Sequence, residues 1–309
     1  MQAVLNIYDL KGINMTQEYV RRILGDFYRY RFLDSIIEDE EMSRKMFKVQ
    51  ERFKRITNIW NDELNSEWVL RHYLATKMIM SATLLINSMD FANERNLRIV
   101  EPYLFYYSVL TLCRAVVYTT PEKQWNDGKI MTMTHTKIIN SACSAIGSIN
   151  SDLGQKVKKF ITCAQEMREL YSYKFPANGL LTYFDSKENG WDLFIEICTT
   201  LAEIAQFQSE QLEYCLNKMK NKYFTLDFTF LENGFIYKGN NFEFIDNEDY
   251  YRLGYFKRKQ SYPVNLYFTL REGMVDDFFG AWSKEVEIES EEDELFNPDN
   301  NIRIIFYMP

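Results

Sequence analysis

The distribution of apolar and polar residues divides the chain near residue 222. Before that point apolar side chains recur every three or four residues, the period of a helix with one buried face. Beyond it, short aromatic runs are broken by Asn-Gly and Gly-Asn pairs, the pattern of strands and tight turns. We place a domain boundary there, with a helical unit over 1–222 and a small α+β unit with an antiparallel sheet over 223–309. Thr16 is a candidate cap for a first helix carrying Val20, Ile23, Phe27, Ile36 and Ile37. Met42, Met46, Val49, Phe53, Ile56 and Trp60 then recur in 4-3-4-3-4 steps, with Arg44, Lys45, Lys48, Arg52, Lys54 and Arg55 on the other faces. An amphipathic helix with a basic solvent face is expected, with dimerisation or polyanion binding as the alternative. Leu70, Leu74, Met78, Leu85 and Met89 predict a long helix over 66–94, with His72 near its start as a packed or surface imidazole.

The segment from Glu101 to Pro121 is apolar on every face after Pro102, which predicts the central buried helix of a bundle. Arg114 is the one charge between the two prolines. A guanidinium there needs a carboxylate, such as Glu166 or Glu169, or a polar cavity open to an anion. A short helix follows, capped by Thr134 or Thr136, with His135 at its entrance, where the positive end of the helix dipole disfavours an imidazolium. Val157, Ile161, Ala164 and Arg168 lie on one stripe of the next helix, so Arg114, His135 and Arg168 are candidates to converge. That helix is expected to end in an aromatic loop (Tyr171, Tyr173, Phe175, Pro176), and a last helix over 192–219 carries Phe194, Ile197, Leu201, Ile204 and Leu212.

In the second unit, residues 224–232 and 235–239 flank the Asn233-Gly234 hairpin signal, and residues 242–245 follow a second turn. Residues 264–270 and 302–307 are expected as further strands, with a short helix over 273–282 between them. Tyr250, Tyr251, Tyr255 and Phe256, beside Lys257, Arg258 and Lys259, are expected in the sheet core, or as stacking platforms for bases or a partner protein.

Composition narrows the classes. With 46% hydrophobic and 16% aromatic residues the chain folds rather than remaining disordered. Its net charge of −8 argues against a surface that coats phosphates wholesale. After Lys222 there are 8 basic and 17 acidic side chains, so the first 222 residues carry about +1. Much of the acidity is the run Glu285–Glu294, expected as a solvated loop or edge strand. Five cysteines without a C-x-x-C pair, no secretory signal and no long uninterrupted apolar run predict a cytoplasmic protein with no membrane partner. Phosphate-binding glycine loops, nucleophile elbows and H-E-x-x-H motifs are absent, so neither a cofactor nor a metal is expected. The pairs Asp276-Asp277 and Glu248-Asp249 are expected to be solvated, with divalent cation binding as the alternative.

The run VEPYLFYYSVLTLCRAVVYTTP (100–121), preceded by a long helix and followed by a loop and THTKIIN (134–140), resembles the YaaC-like family of bacterial proteins and, more distantly, the helical HEPN superfamily, over roughly residues 60–175. The first resemblance implies a helical bundle, with Arg114 and His135 matching its basic residue and its histidine. The second implies a dimeric bundle, often a metal-independent ribonuclease of toxin or phage-defence systems, with Arg and His at the dimer cleft. The superfamily's ribonuclease motif places Arg a few residues before His on one helix, whereas Arg114 and His135 stand 21 positions apart. The expectation is therefore an HEPN-like bundle that binds or cleaves RNA or nucleotides without metal, in a stress or defence setting. Arg114, His135 and Arg168 would be catalytic, and Arg44, Lys48, Arg52, Arg55, Lys158 and Lys159 would bind RNA. The alternative is a non-catalytic, dimeric scaffold that recognises a partner protein.

Overall fold

The structure, a computed structural model, describes residues 28–33, 40–177, 190–217, 222–229, 235–260, 262–282 and 295–309. The chain is mainly helical. Helices α1 (Glu40–Thr57), α2 (Asp62–Glu94), α3 (Glu101–Thr119), α4 (His135–Ile149), α5 (Ser151–Tyr173) and α6 (Gly190–Leu216) form the bulk of it. Strands β1 (Ile236–Lys238) and β2 (Glu243–Ile245), helix α7 (Asn247–Lys259), the single turn α8 (Leu266–Thr269) and helix α9 (Glu272–Gly280) follow.

Helix α3 occupies the centre, as its all-round apolar character predicts, and packs against α2, α4, α5 and α6. Pro102 starts it at a position where a missing N–H is harmless. Helix α2 begins at Asn61, whose side chain accepts from Leu64 N at 2.8 Å. Helices α4 and α5 meet at one residue. Asn150 ends the first and caps the second, its side chain accepting from the Asp152 and Leu153 amides at 3.0 Å each. A Cβ on Gly154 would lie 2.8 Å from the Gly147 Cα, so the glycine permits the two backbones to touch just past this corner.

Helix α6 buries polar as well as apolar side chains. The expected stripe of Phe194, Ile197, Leu201, Ile204 and Leu212 is buried, but so are Glu203, Gln206, Gln208, Ser209, Glu210 and Gln211. Some partners lie on neighbouring helices, where Thr119 of α3 donates to Gln208 at 2.7 Å and Gln50 of α1 to Gln211 at 3.2 Å; the others come from residues 30–33 and the start of α8. Glu203 accepts the backbone amides of Arg31, Phe32 and Leu33, the last at 2.8 Å. Tyr30 donates its hydroxyl to Glu210 (2.7 Å), and the Asn265, Leu266 and Tyr267 amides donate to Glu213, Ser209 and Gln206.

These contacts explain two differences from the expected strands. Residues 264–270 form the turn α8, capped by Asn265, because α6 side chains take the backbone amides that a sheet would need. Residues 302–307 are a succession of turns, with the Arg303 and Ile304 carbonyls accepting from the Arg31 guanidinium at 2.8 and 2.9 Å. The one hairpin described pairs β1 with β2 antiparallel, Tyr237 opposite Phe244, around the expected Gly239–Asn241 turn. Residues 224–229 are not a strand. Tyr250, Tyr251, Tyr255 and Phe256 lie on α7 rather than in a sheet; Phe256 is buried and Tyr251 exposed. Of the expected first helix, residues 28–32 are non-helical and most of the rest, including Thr16, lies outside the described residues, as do Asn233-Gly234 and Glu285–Glu294. One hydrophobic cluster runs from Tyr28 through the helices to Phe256, Phe279 and Phe306, so elements on both sides of residue 222 share a core.

Replacing Glu203 by Ala orphans three amides at once and should lower stability by about 2–4 kcal/mol in equilibrium urea unfolding. An unchanged midpoint would mean that the 28–33 segment does not depend on this carboxylate. Burial, and secondarily the neighbouring Glu213, raise the Glu210 carboxyl to about 8, against the opposing hydrogen bonds from Tyr30 and Gln206. The native state thus holds a proton that the unfolded chain releases near its ordinary value. This contribution is complete at low pH and is lost as pH rises from about 4.5 to 8. Relative to Glu210→Gln, the wild type should lose up to about 1.4 kcal/mol per pH unit in that window. Parallel stability–pH curves for the two proteins would refute the assignment.

Candidate functional site

Three helices bring the expected constellation together. Helix α3 contributes Tyr106, Tyr107 and Arg114, seven- and eight-residue spacings that keep them on one side of the helix. His135 opens α4 and Arg168 lies on α5. The α4–α5 corner at Asn150 and Gly154 folds the second of these helices back against the first, and both pack on α3.

His135 is partly exposed and held between two tyrosines, with ring centroids 5.9 Å from Tyr106 and 6.0 Å from Tyr107. Its Nδ1 lies 3.0 Å from the Tyr106 hydroxyl. Burial first, then the Arg114 and Arg168 guanidiniums, hold the imidazole below its ordinary value. It is therefore neutral at physiological pH, as expected, but from desolvation and cationic neighbours. Burial pushes the Tyr106 phenol up to about 12, so it keeps its proton. When the imidazole proton is on Nδ1 and donated to Tyr106, Nε2 is free to accept a proton.

Both arginines are partly buried and engaged on one side. Arg114 donates to the Met131 carbonyl at 3.0 Å, and its guanidinium also faces the Tyr118 hydroxyl. The expected partner Glu169 belongs instead to Arg168, whose Nη2 is 3.3 Å from Oε1. Arg168 lies over the Tyr106 ring at 5.2 Å. Its Nε is buried and has no hydrogen-bond partner among the described residues. Two cations and a neutral base thus share one patch, an arrangement suited to a phosphate or another oxyanion.

The other expected RNA contacts are scattered. Arg52 is bound to Glu122 and donates to Ser148 at 3.0 Å, near the end of α4 opposite His135. Ser148 stands thirteen positions after His135 on this helix, about 20 Å along its axis. Arg44, Lys48 and Arg55 on α1 and Lys158 and Lys159 on α5 are exposed. His72 is packed, as expected: fully buried, its Nδ1 2.6 Å from the Val264 carbonyl, and pushed down to about 4 chiefly by burial.

Sequence reasoning missed a second polar centre. Asp249, expected as a solvated carboxylate, is buried and bound by the Tyr73 hydroxyl and by Lys77 Nζ at 2.8 Å; Lys77 also reaches Asp246 at 3.3 Å. Asp277 is bound to Arg252. Among the described residues no three His, Cys, Asp or Glu side chains gather where they could hold a metal. Lys77 and Asp249 stand between two cavities of about 260 and 610 Å³. The one available signal was Lys77 itself, the single formal charge between Arg71 and Asp90.

All five cysteines are free. Among the described residues no helix is long and apolar enough to cross a membrane. In comparisons with known proteins, no family model, no curated protein and no solved structure matches the chain significantly.

The chain holds two histidines, so both are separable in an NMR titration. His72 should titrate near 4 and His135 below the ordinary 6.5. Arg168→Met should move His135 upward and leave His72 in place. A His135 resonance indifferent to that substitution would remove Arg168 from the site.

Proposed function

We propose that the chain is an HEPN-like protein that binds the phosphate of RNA or a nucleotide between Arg114 and Arg168, and cleaves RNA there with His135 as general base. The observation that carries this reading is the partly exposed imidazole kept neutral beside two guanidiniums. In the proposed step Nε2 of His135 takes the proton of a ribose 2′-hydroxyl as that oxygen attacks the adjacent phosphorus. The bond from phosphorus to the 5′-oxygen breaks, and the leaving oxygen takes a proton from water. A 2′,3′-cyclic phosphate results, with the developing negative charge facing the guanidiniums. None of these roles requires a metal ion. The stress or phage-defence setting is proposed from the HEPN-like resemblance alone.

Incubation of wild type, His135→Ala and Arg168→Ala with mixed RNA in EDTA tests the reading, provided all three retain the same circular dichroism spectrum and mass. Cleavage by wild type is expected, with a loss of about 100-fold or more in His135→Ala. The rate should fall on acidification as the imidazole protonates, with a midpoint below 6.5. Cleavage that survives in His135→Ala, or none in folded wild type, would defeat it.

A second reading, a non-catalytic dimeric scaffold, is favoured by one observation: Phe242 and Ile245 of the hairpin region and Phe47 and Ile59 near α1 are exposed apolar side chains. Light scattering that reports a monomer across the micromolar range would remove the dimer from it.

A further inference from the structure

The 610 Å³ cavity lies between α2, the 127–132 loop and the β1–β2 hairpin, and falls within the range of about 300–1,000 Å³ common for small-molecule sites. Tyr237 and Phe244 are directly opposed across the hairpin, so both side chains project from the same face. Both line the cavity, yet they are 61% and 57% exposed. Two large, mostly exposed rings thus stand on one face of the ribbon without packing into the core, and Tyr237 also meets the Phe242 ring at 5.4 Å. Leu74, Met78, Tyr118 and Met131 supply further apolar lining.

The polar lining is equally specific. Lys77 and Asp246 present a donor and an acceptor, fixed by their mutual contact and by the buried Asp249. Exposed Asp127, Lys129 and Thr132 come from the loop. Three carboxylates against two ammonium groups leave the cavity at about −1, opposite in sign to the Arg114–Arg168 patch. A phosphate would be repelled here, whereas an uncharged ring system with hydrogen-bonding edges would satisfy both the exposed rings and the polar side.

We propose that this cavity binds a planar heteroaromatic compound of nucleoside size, with its ring stacked on Tyr237 and Phe244 and its polar edge toward Lys77 and Asp246. The proposal goes beyond the function proposed for the basic cluster and stands without it.

Isothermal titration with adenosine, guanosine, cytidine and uridine, and with their 5′-monophosphates, tests the site. At least one nucleoside should saturate, and in an Arg114→Ala/Arg168→Ala variant, which lacks the phosphate-binding cations of the other centre, it should bind more tightly than its own monophosphate. Tyr237→Ala and Phe244→Ala should each weaken it roughly 5- to 150-fold, the range for loss of one base–aromatic stack. Tyr237→Leu, which keeps apolar bulk without a ring face, should also weaken it and guards against a folding artefact in the alanine variant. His135→Ala should leave nucleoside affinity unchanged. No saturable binding of any of the four nucleosides, tighter binding of the monophosphate by the Arg114→Ala/Arg168→Ala variant, or affinity indifferent to both ring substitutions would overturn the proposal. Loss of binding in His135→Ala would place the nucleoside in the basic cluster and overturn it as well, whereas absence of RNA cleavage would leave it standing.

Discussion

The buried polar face of α6 is the constraint on which the rest of the structure depends. Glu203, Gln206, Ser209 and Glu210 lie where water cannot reach them, and a buried carboxylate or amide without partners costs several kcal/mol. Mid-helix amides of the neighbouring helices cannot satisfy these groups, because they are already committed to their own ladder. Non-helical backbone and the free first-turn amides of a helix can. The amides of residues 31–33 and 265–267 therefore dock on α6. Arg31 extends the connection by donating to carbonyls near the end of the described chain. Segments distant in sequence are joined to one helix by directional bonds, and Tyr28, Tyr267 and Phe306 pack where they meet.

The same division between apolar packing and directed polar contacts shapes the two candidate centres. At the basic cluster, α3 is held in the core by its apolar faces while Tyr106, Tyr107 and Arg114 reach its edge, where α4 and α5 deliver His135 and Arg168. Close approach at Gly147 and Gly154 governs how those two helices lie. At the hairpin, Lys77 projects from α2 and is met by Asp246 and Asp249 at the start of α7. One centre is cationic with a neutral base; the other is slightly anionic with two exposed aromatic rings. Opposite charge suits them to different ligands, or to different parts of one.

Several features were legible in the chain before folding. The all-apolar run after Pro102 meant a central helix, and the single Arg114 within it meant a polar contact to be explained. The 4-3-4 step that put Arg168 on an apolar stripe pointed to the same contact. Other signals were present but outweighed. Asp246 before Glu248 and Asp249, with Lys257–Lys259 at the far end, is the charge pattern of a capped helix, yet the tyrosines between them suggested a sheet. Residues 264–270 and 302–307 have strand-like content, but their backbone groups are claimed by α6 and Arg31.

Local periodicity and capping chemistry thus determined the helices, because a helix closes its hydrogen bonds within itself and needs only a matching apolar face. They also marked Arg114, His135 and Arg168 as polar groups in an apolar context. Tertiary structure alone decided that Glu169 pairs with Arg168 and not with Arg114, that Tyr106 faces His135, and that Lys77 and Asp249 join across 172 positions. It also decided which aromatic runs became strands. Apart from the adjacent Arg168 and Glu169, those outcomes rest on partners distant in sequence that compete for a limited number of donors and acceptors, and no local pattern records that competition.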